Sequence, residues 1–370
     1  MRFTIDFEKL PPEAHHWFST LPEGLGTERF FRANEYLNGY VDRLAHEHVT
    51  ALRGEPIARA AHWNWMLRKL ERSRLAELDP WGRLAALAPM DDPADAVKGR
   101  ALEEIPDLAP SFALLDCARV GYVEFLRGAR DGASILLAPS SLSIWQRYFD
   151  NVDVIYSANN RVAARLVESA LARARPNHDG AVLLEAGGGL GSAAEAVLAR
   201  SRGRIARYRF TEPFPFFLAG ARRKLARSFP DVAIDYAALD LHHPLAAQGV
   251  APASVDVVLA VNVLHVLRDV SRALAEIRTA LRPGGSLVLV ECTRFAPGVP
   301  IYVDYAFQLL DEFFRVDDLG PSRPHGGFLT VKCWRELLAA AGFRVECEFP
   351  DHAIAARWYD SLHLVGFEAV

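Results

Sequence analysis

Cysteine is scarce in this chain of 370 residues: Cys117, Cys292, Cys333 and Cys347 are the four present, and no two stand at CxxC spacing. That excludes a zinc finger and a disulfide framework, and reduced thiols in a cytoplasmic protein are the expectation. An excess of charge of either sign is also missing, since 42 Lys and Arg face 46 Asp and Glu for a net charge of -4. Such a chain has no electrostatic grip on nucleic acid. Long apolar runs are absent as well. The longest, residues 255–267, is broken by Asp256, Asn262 and His265, and residues 1–9 carry acidic side chains without an apolar centre. Neither a membrane span nor export is expected. What remains is 51% hydrophobic and 24% charged residues, an ordinary globular composition at a length that suits two domains.

The two halves differ in character. Up to about residue 150 the chain is rich in aromatic and helix-forming residues and holds five of its seven tryptophans, Trp17, Trp63, Trp65, Trp81 and Trp145. Apolar side chains three and four apart predict amphipathic helices over residues 28–52 (Phe31, Tyr36, Leu37, Tyr40, Leu44), 56–75 (Ile57, Trp63, Met66, Leu70) and 111–127 (Phe112, Leu115, Val120, Phe125), with a polar break at 90–94. From about residue 180 short β-rich runs alternate with helical ones, which predicts a parallel α/β sheet. The expected strands are 181–184, 208–211, 233–236, 255–261 and 286–290. The expected helices are 192–200, 216–227 and 270–280, the last stopped by Pro283, Gly284 and Gly285, and the tail adds a helix at 331–341 and strands at 343–349 and 361–368. The aromatic stretch 294–323 reads as an amphipathic core helix, with the lining of an acyl pocket as the alternative.

Chemistry-bearing residues gather at the predicted strand ends. Glu185, Gly187, Gly189 and Gly191 follow the first strand and open a helix. Glycines there allow a sharp turn and close approach of a ligand, a pattern shared with dinucleotide sites. Glu185, however, puts a carboxylate where a pyrophosphate would sit, a poor choice for an anion and a suitable one for the ammonium of a methionine moiety. Glu212 ends the second strand, where an acid can take both ribose hydroxyls. Asp240 and Leu241 follow the third and suit the amine and face of adenine. Asn262 and His265 follow the fourth, and Glu291 ends the fifth; neighbouring parallel strands deliver both to one crevice, so His265 and Glu291 can meet. A packing histidine and a sheet-edge glutamate are the plain alternative. His15 with His16, and His242 with His243, are adjacent pairs that point apart, so no metal site is expected.

Taken together, LLEAGGGLGS from Leu183, YRFTEPFPFFLAGARRKLA from Tyr208, LDLHHPLAAQGV from Leu239, VDVVLAVNVLHVLRDV from Val255, LRPGGSLVLVE from Leu281 and FLTVKCWRELLAAAGF from Phe328 resemble class I S-adenosylmethionine-dependent methyltransferases. More narrowly they look like the C-methyltransferase domains of polyketide synthases. Upstream, FLRGARDGASILLAPSS from Phe125 and ANNRVAARLVESAL from Ala158 are similar to the segment before the cofactor loop, so the likeness covers roughly residues 110–350. The resemblance implies a Rossmann-like core of seven mostly parallel strands with helices on both faces (151–370), a helical lid (1–150), S-adenosylmethionine as cofactor, and His265 with Glu291 as a catalytic dyad. It departs at Asn159-Asn160, where the family commonly has Tyr-Asn; Tyr156 lies three positions earlier. The implied reaction is α-C-methylation of a β-ketoacyl thioester, free or bound to an acyl carrier protein, by a freestanding enzyme or an excised domain. O-methylation of a small natural product, and a catalytically silent module, are the alternatives.

Overall fold

The computed structural model describes residues 10–21, 25, 27–174, 180–352 and 363–370. The first part is helical: α1 (Pro12–Thr20), α2 (Glu28–Ala51), α3 (Ala60–Arg72), α4 (Ala94–Glu104), α5 (Ala109–Leu126), α6 (Gly132–Leu136) and α7 (Leu142–Tyr148), interrupted by a small hairpin of β1 (Ala76–Leu78) and β2 (Leu84–Leu87). The Thr27 hydroxyl accepts the Phe30 N–H and caps α2. One face of that helix is buried by Leu37, Tyr40, Val41 and Leu44, all at 0% exposure. Each such side chain contributes about 1.5–3 kcal/mol of burial.

The second part begins with α8 (Tyr156–Arg173) and alternates β3 (Ala181–Ala186), α9 (Ser192–Ser201), β4 (Ile205–Thr211), α10 (Pro215–Ser228), β5 (Ile234–Ala237), β6 (Val255–Val261), α11 (Val270–Ala280) and β7 (Leu281–Cys292). After the short α12 (Asp304–Phe307) come α13 (Val331–Ala340), β8 (Val345–Phe349) and β9 (Leu364–Ala369). The sheet order is β5-β4-β3-β6-β7-β9-β8, parallel from β5 to β7, with β9 antiparallel to both its neighbours. This is the expected Rossmann-like, seven-stranded sheet. Connections run outward in opposite directions from β3 and β6, so the crevice beyond their carboxyl ends is the topological switch point where such sheets hold ligands.

Strand β6 is buried along its whole length, which is why its sequence is a near-continuous apolar run rather than an alternating one. Its single acid, Asp256, is satisfied by the Val182 N–H at 2.8 Å and the Arg282 guanidinium at 2.6 Å. Strand β7 starts earlier than expected. It pairs with β6 from Leu281, and the Pro283-Gly284 turn is an irregularity inside the strand, with the register slipping between Val255 and Val257.

The stretch 294–323 does not form the expected amphipathic helix. Pro297, Pro300 and Pro321 remove backbone donors and restrict the residues before them, so only four residues, Asp304–Phe307, are α-helical, followed by a 3-10 turn at Asp311–Phe314. Its apolar residues Ile301, Tyr302, Tyr305, Leu309 and Phe313 join Phe112, Tyr122 and Trp145 in one buried cluster. The link is polar as well. The Arg294 guanidinium pairs with both Asp304 carboxylate oxygens at 2.5 and 2.6 Å, and the Trp65 indole donates to Asp304 at 3.0 Å. His48 and His62 reach the same segment, at the Tyr305 hydroxyl (2.7 Å) and the Gln308 carbonyl (2.8 Å). Two further apolar clusters flank the sheet, and Phe18, Phe30 and Phe31 belong to one of them.

Candidate active site

A cavity of about 770 Å³ lies over the carboxyl ends of β3, β4, β6 and β7, between the sheet and the helical part. Every site residue named from the sequence borders it except Gly191 and Glu291; both are one step behind its wall. Gly187, Gly189 and Gly191 have φ of 63°, 55° and 81°, a region that L-residues enter at a cost. A Cβ at Gly187 would come within 2.7 Å of Val263, whereas one at Gly189 would meet no protein atom within 4 Å and would occupy the open cavity. Gly188, which the alternating pattern passes over, is the tightest of the loop: a Cβ there would lie 2.4 Å from the Phe210 ring.

Glu185 is buried on β3. The Tyr208 hydroxyl donates to its carboxyl at 2.9 Å, and the Thr211 hydroxyl to its carbonyl at 2.6 Å. Burial pushes the Glu185 carboxyl up to about 8, against the Tyr208 hydrogen bond and with help from the nearby Glu212. Glu212 accepts the Gly189 N–H at 2.9 Å and the Phe214 N–H at 3.0 Å, which ties the end of β4 to the glycine loop. Burial raises its carboxyl too, opposed by those two N–H groups. Asp240 accepts the His242 N–H and ring Nδ1, both at 2.8 Å. Burial favours its neutral form, but these hydrogen bonds prevail and hold it below the usual carboxylate range. Leu241 is buried beside it. Asn262 sits at φ 53°, a left-handed position that asparagine tolerates, and its side-chain oxygen accepts the Cys292 N–H at 2.7 Å. It stitches β6 to β7.

His265 and Glu291 are in contact. The histidine stands on a 3-10 turn, Leu264–Val266, just past β6, and is 3% exposed; Glu291 on β7 is fully buried. Glu291 Oε1 accepts the backbone N–H groups of Val263 (3.2 Å) and Leu264 (2.8 Å), and Oε2 lies 2.6 Å from His265 Nδ1. An acid held by two backbone donors is an acceptor, so the hydrogen between it and the ring belongs to Nδ1, and Nε2 keeps its lone pair. Phe328 packs against the ring at 4.6 Å and Phe313 edges it at 6.1 Å. Arg323, 1% exposed, donates to the carbonyls of Leu267 (2.5 Å) and Arg268 (3.0 Å) and fixes the end of the turn.

The cavity also brings in residues that sequence spacing did not single out. Tyr148, Cys292 and His363 line it, and they are joined by Tyr302, Phe307 and Phe313 of the aromatic stretch, for which a pocket lining is the alternative sequence reading. Asn159 and Asn160 line it too, each with a buried Oδ1 that has no partner among the described residues. The Asn160 amide is oriented by Asn151 at 2.8 Å, which itself donates to Ser192 and Glu195. Tyr156 borders the cavity as well, with the Glu185 and Glu291 charges adding to the burial that raises its phenol. His325 turns instead onto the Gly326 carbonyl at 2.9 Å.

Residues 184–287 match the model of a methyltransferase domain family. The chain is 29% identical over 273 residues to the highly reducing polyketide synthase Preu5 of Preussia isomera, an alignment covering 72% of this chain and 10% of that protein. It is 35% identical over 210 residues to the lovastatin diketide synthase lovF of Aspergillus terreus, covering 55% and 8%. It thus spans a tenth or less of the length of these relatives. Its fold is that of the CurJ carbon methyltransferase, with a TM-score of 0.74 at 20% identity over 98% of this chain and 97% of that one. No helix among the described residues is long and apolar enough to cross a membrane.

Proposed function

We propose that this S-adenosylmethionine-dependent methyltransferase, similar to the C-methyltransferase domains of polyketide synthases, methylates the α-carbon of a β-ketoacyl thioester carried on an acyl carrier protein. The observation that carries the reading is the His265–Glu291 pair. Glu291 fixes the tautomer, so that Nε2 is a base inside a cavity walled by aromatic rings. An α-carbon flanked by two carbonyls is acidic enough for an imidazole to deprotonate, and a positioned base contributes about 10²–10⁴-fold to such a step. Glu291 then faces the imidazolium and stabilises its charge. The relatives support a polyketide acceptor because the synthases they belong to assemble β-ketoacyl chains. The helical part with the 301–313 segment covers the acceptor.

The residues present fit the cofactor. Two orphaned buried oxygens, on Asn159 and Asn160, and the Glu185 carboxyl make one stretch of the wall acceptor-rich, as an ammonium requires. Gly189 leaves space beside it, Gly187 and Gly191 let the loop turn close to Val263 and Leu225, Glu212 would take the ribose, and Asp240 with Leu241 would take the adenine. Bound there, S-adenosylmethionine supplies an electrophilic methyl group on sulfur. The protein's tasks are to hold the acceptor in line, to exclude water and to move one proton.

The test is proton exchange without methyl donor. A β-ketoacyl thioester in deuterated water should lose its α-hydrogens faster with the protein than with His265→Ala. Equal rates would overturn the carbon-acceptor reading, and methylation of a hydroxyl substrate by the same preparation would replace it.

A further inference from the structure

Removing an α-proton leaves a charge that the dyad does not meet. The electron pair of the broken C–H bond moves onto the acceptor's carbonyl oxygen, and that oxygen needs a donor. No lysine or arginine is among the described residues lining the cavity. The donors must be neutral. Tyr148, at the end of α7, and Tyr302, in the segment after β7, are 7% and 5% exposed and both line the cavity. Neither hydroxyl makes a hydrogen bond to a described residue. The rings are buried, but neither hydroxyl is among the buried atoms left without a partner, so the two oxygens reach the open side, which is the cavity.

Burial raises both phenols well above their usual range. They stay protonated and act as donors. Aromatic contacts link the phenols' side of the cavity to the base. The Tyr148 ring is 6.4 Å from Phe307, which is 6.0 Å from Phe328, which in turn packs on His265. Tyr148 stands on α7 and Tyr302 on the segment after β7 that shares the buried cluster of the helical part, while the imidazole stands on the turn just past β6. A planar acceptor between them offers its α-carbon to one and its carbonyl to the other.

We propose that Tyr302 and Tyr148 form the enolate-binding site of this enzyme, donating hydrogen bonds to the carbonyl oxygen of the acceptor as His265 takes the α-proton. The inference rests on the carbon-acceptor reading above. The C–H bond breaks, the proton goes to His265 Nε2, and the electron pair is delocalised onto oxygen; the phenols lend hydrogen bonds and keep their protons. The enolate carbon then forms the new bond to the methyl group, whose bonding pair leaves with sulfur.

The experiment is donor-free α-exchange of a β-ketoacyl thioester by the full chain and by Tyr302→Phe, Tyr148→Phe and the double variant, with cofactor affinity measured by calorimetry alongside. Loss of one such donor costs about 100-fold, so each single variant should slow exchange by that factor, and the double should approach His265→Ala, all with unchanged cofactor affinity. Wild-type exchange with both single variants within two-fold of it overturns the enolate site and leaves the carbon-acceptor reading standing. Absence of exchange in the wild type overturns that reading itself. If the phenylalanine variants do not fold, 3-fluorotyrosine at position 302 replaces them: its more acidic phenol raises the exchange rate if the assignment holds and leaves it unchanged if it does not.

Discussion

Replacing Glu291 by glutamine changes one atom and reverses a hydrogen bond. The wild-type carboxylate accepts three N–H groups, from Val263, Leu264 and the His265 ring. A glutamine can keep its oxygen on the two backbone donors, but its NH2 then faces Nδ1. The ring relieves the clash by moving its hydrogen to Nε2, which removes the lone pair from the cavity. The counter-charge goes too. Opposite unit charges about 4 Å apart at an effective dielectric of about 20 interact by about 4 kcal/mol, which is about three powers of ten in rate. Glu291→Gln is therefore expected to lower turnover by about 10³–10⁴-fold. With both backbone bonds preserved, the stability loss should stay within about 1–3 kcal/mol. The assay is methyl transfer to a β-ketoacyl thioester followed by mass spectrometry, with cofactor affinity and thermal midpoint as controls. A combined Glu291→Gln, His265→Ala variant should be no slower than His265→Ala alone, because the acid acts through the ring. Retention of more than a tenth of wild-type turnover by a folded Glu291→Gln protein, or multiplicative losses in the double variant, would refute the tautomer reasoning.

Other predictions follow from the same geometry. Gly188→Ala, with its Cβ 2.4 Å from the buried Phe210 ring, should lower the melting temperature more than Gly189→Ala, while Gly189→Ala, whose Cβ enters the cavity, should cost more cofactor affinity; calorimetry and a melting curve separate the two. Glu185, raised to about 8 by burial, makes folding stability greatest below its unfolded pKa of about 4.3. That stability is lost progressively as pH rises to about 8, because the unfolded chain gives up the proton first. Glu185→Gln should flatten the dependence across that window in pH-resolved denaturant titrations. Asp304→Ala leaves the Arg294 guanidinium, 7% exposed, without its counter-charge. A loss of about 3–5 kcal/mol is expected, and a protein that still folds should bind cofactor through Glu185 and Glu212 but lose acceptor turnover.

Strand β6 was legible to the residue because a fully buried parallel strand is an unbroken apolar run, and its boundaries are marked by Ser254 and Asn262. Helices α9, α10 and α11 were legible for a similar reason: α9 and α11 start just after Gly191 and Asp269, α10 starts at Pro215, and each keeps a 3.6-residue apolar face. The small hairpin was not, since β1 has three residues and β2 four, too few for a period to show. In the aromatic stretch, the density of Phe and Tyr outweighed the prolines that forbid a long helix. At the site, residues adjacent to strand ends were readable because a parallel sheet gathers those ends. Tyr148 was not, because 154 positions of chain separate it from Tyr302, whose aromatic stretch offered a pocket lining only as an alternative, and tertiary packing alone brings the two side chains to one cavity. Gly188 escaped notice because every other glycine already accounted for the turn.

The buried cluster that unites Phe112, Tyr122 and Trp145 with Tyr305, Leu309 and Phe313 bears on how the helical part can be inherited or exchanged. A graft cut near residue 150 would carry the helices and leave their keystone behind in the recipient's β7–α13 connection. Transplanting the helical part between such proteins therefore calls for two segments moved together, the amino-terminal helices and residues 294–328. The same arrangement sets an order on synthesis. The helices emerge from the ribosome first, yet their core closes only after some 300 residues have been made, so the helical part completes itself after the glycine loop, the strand carrying Glu185 and the turn carrying His265 are already present.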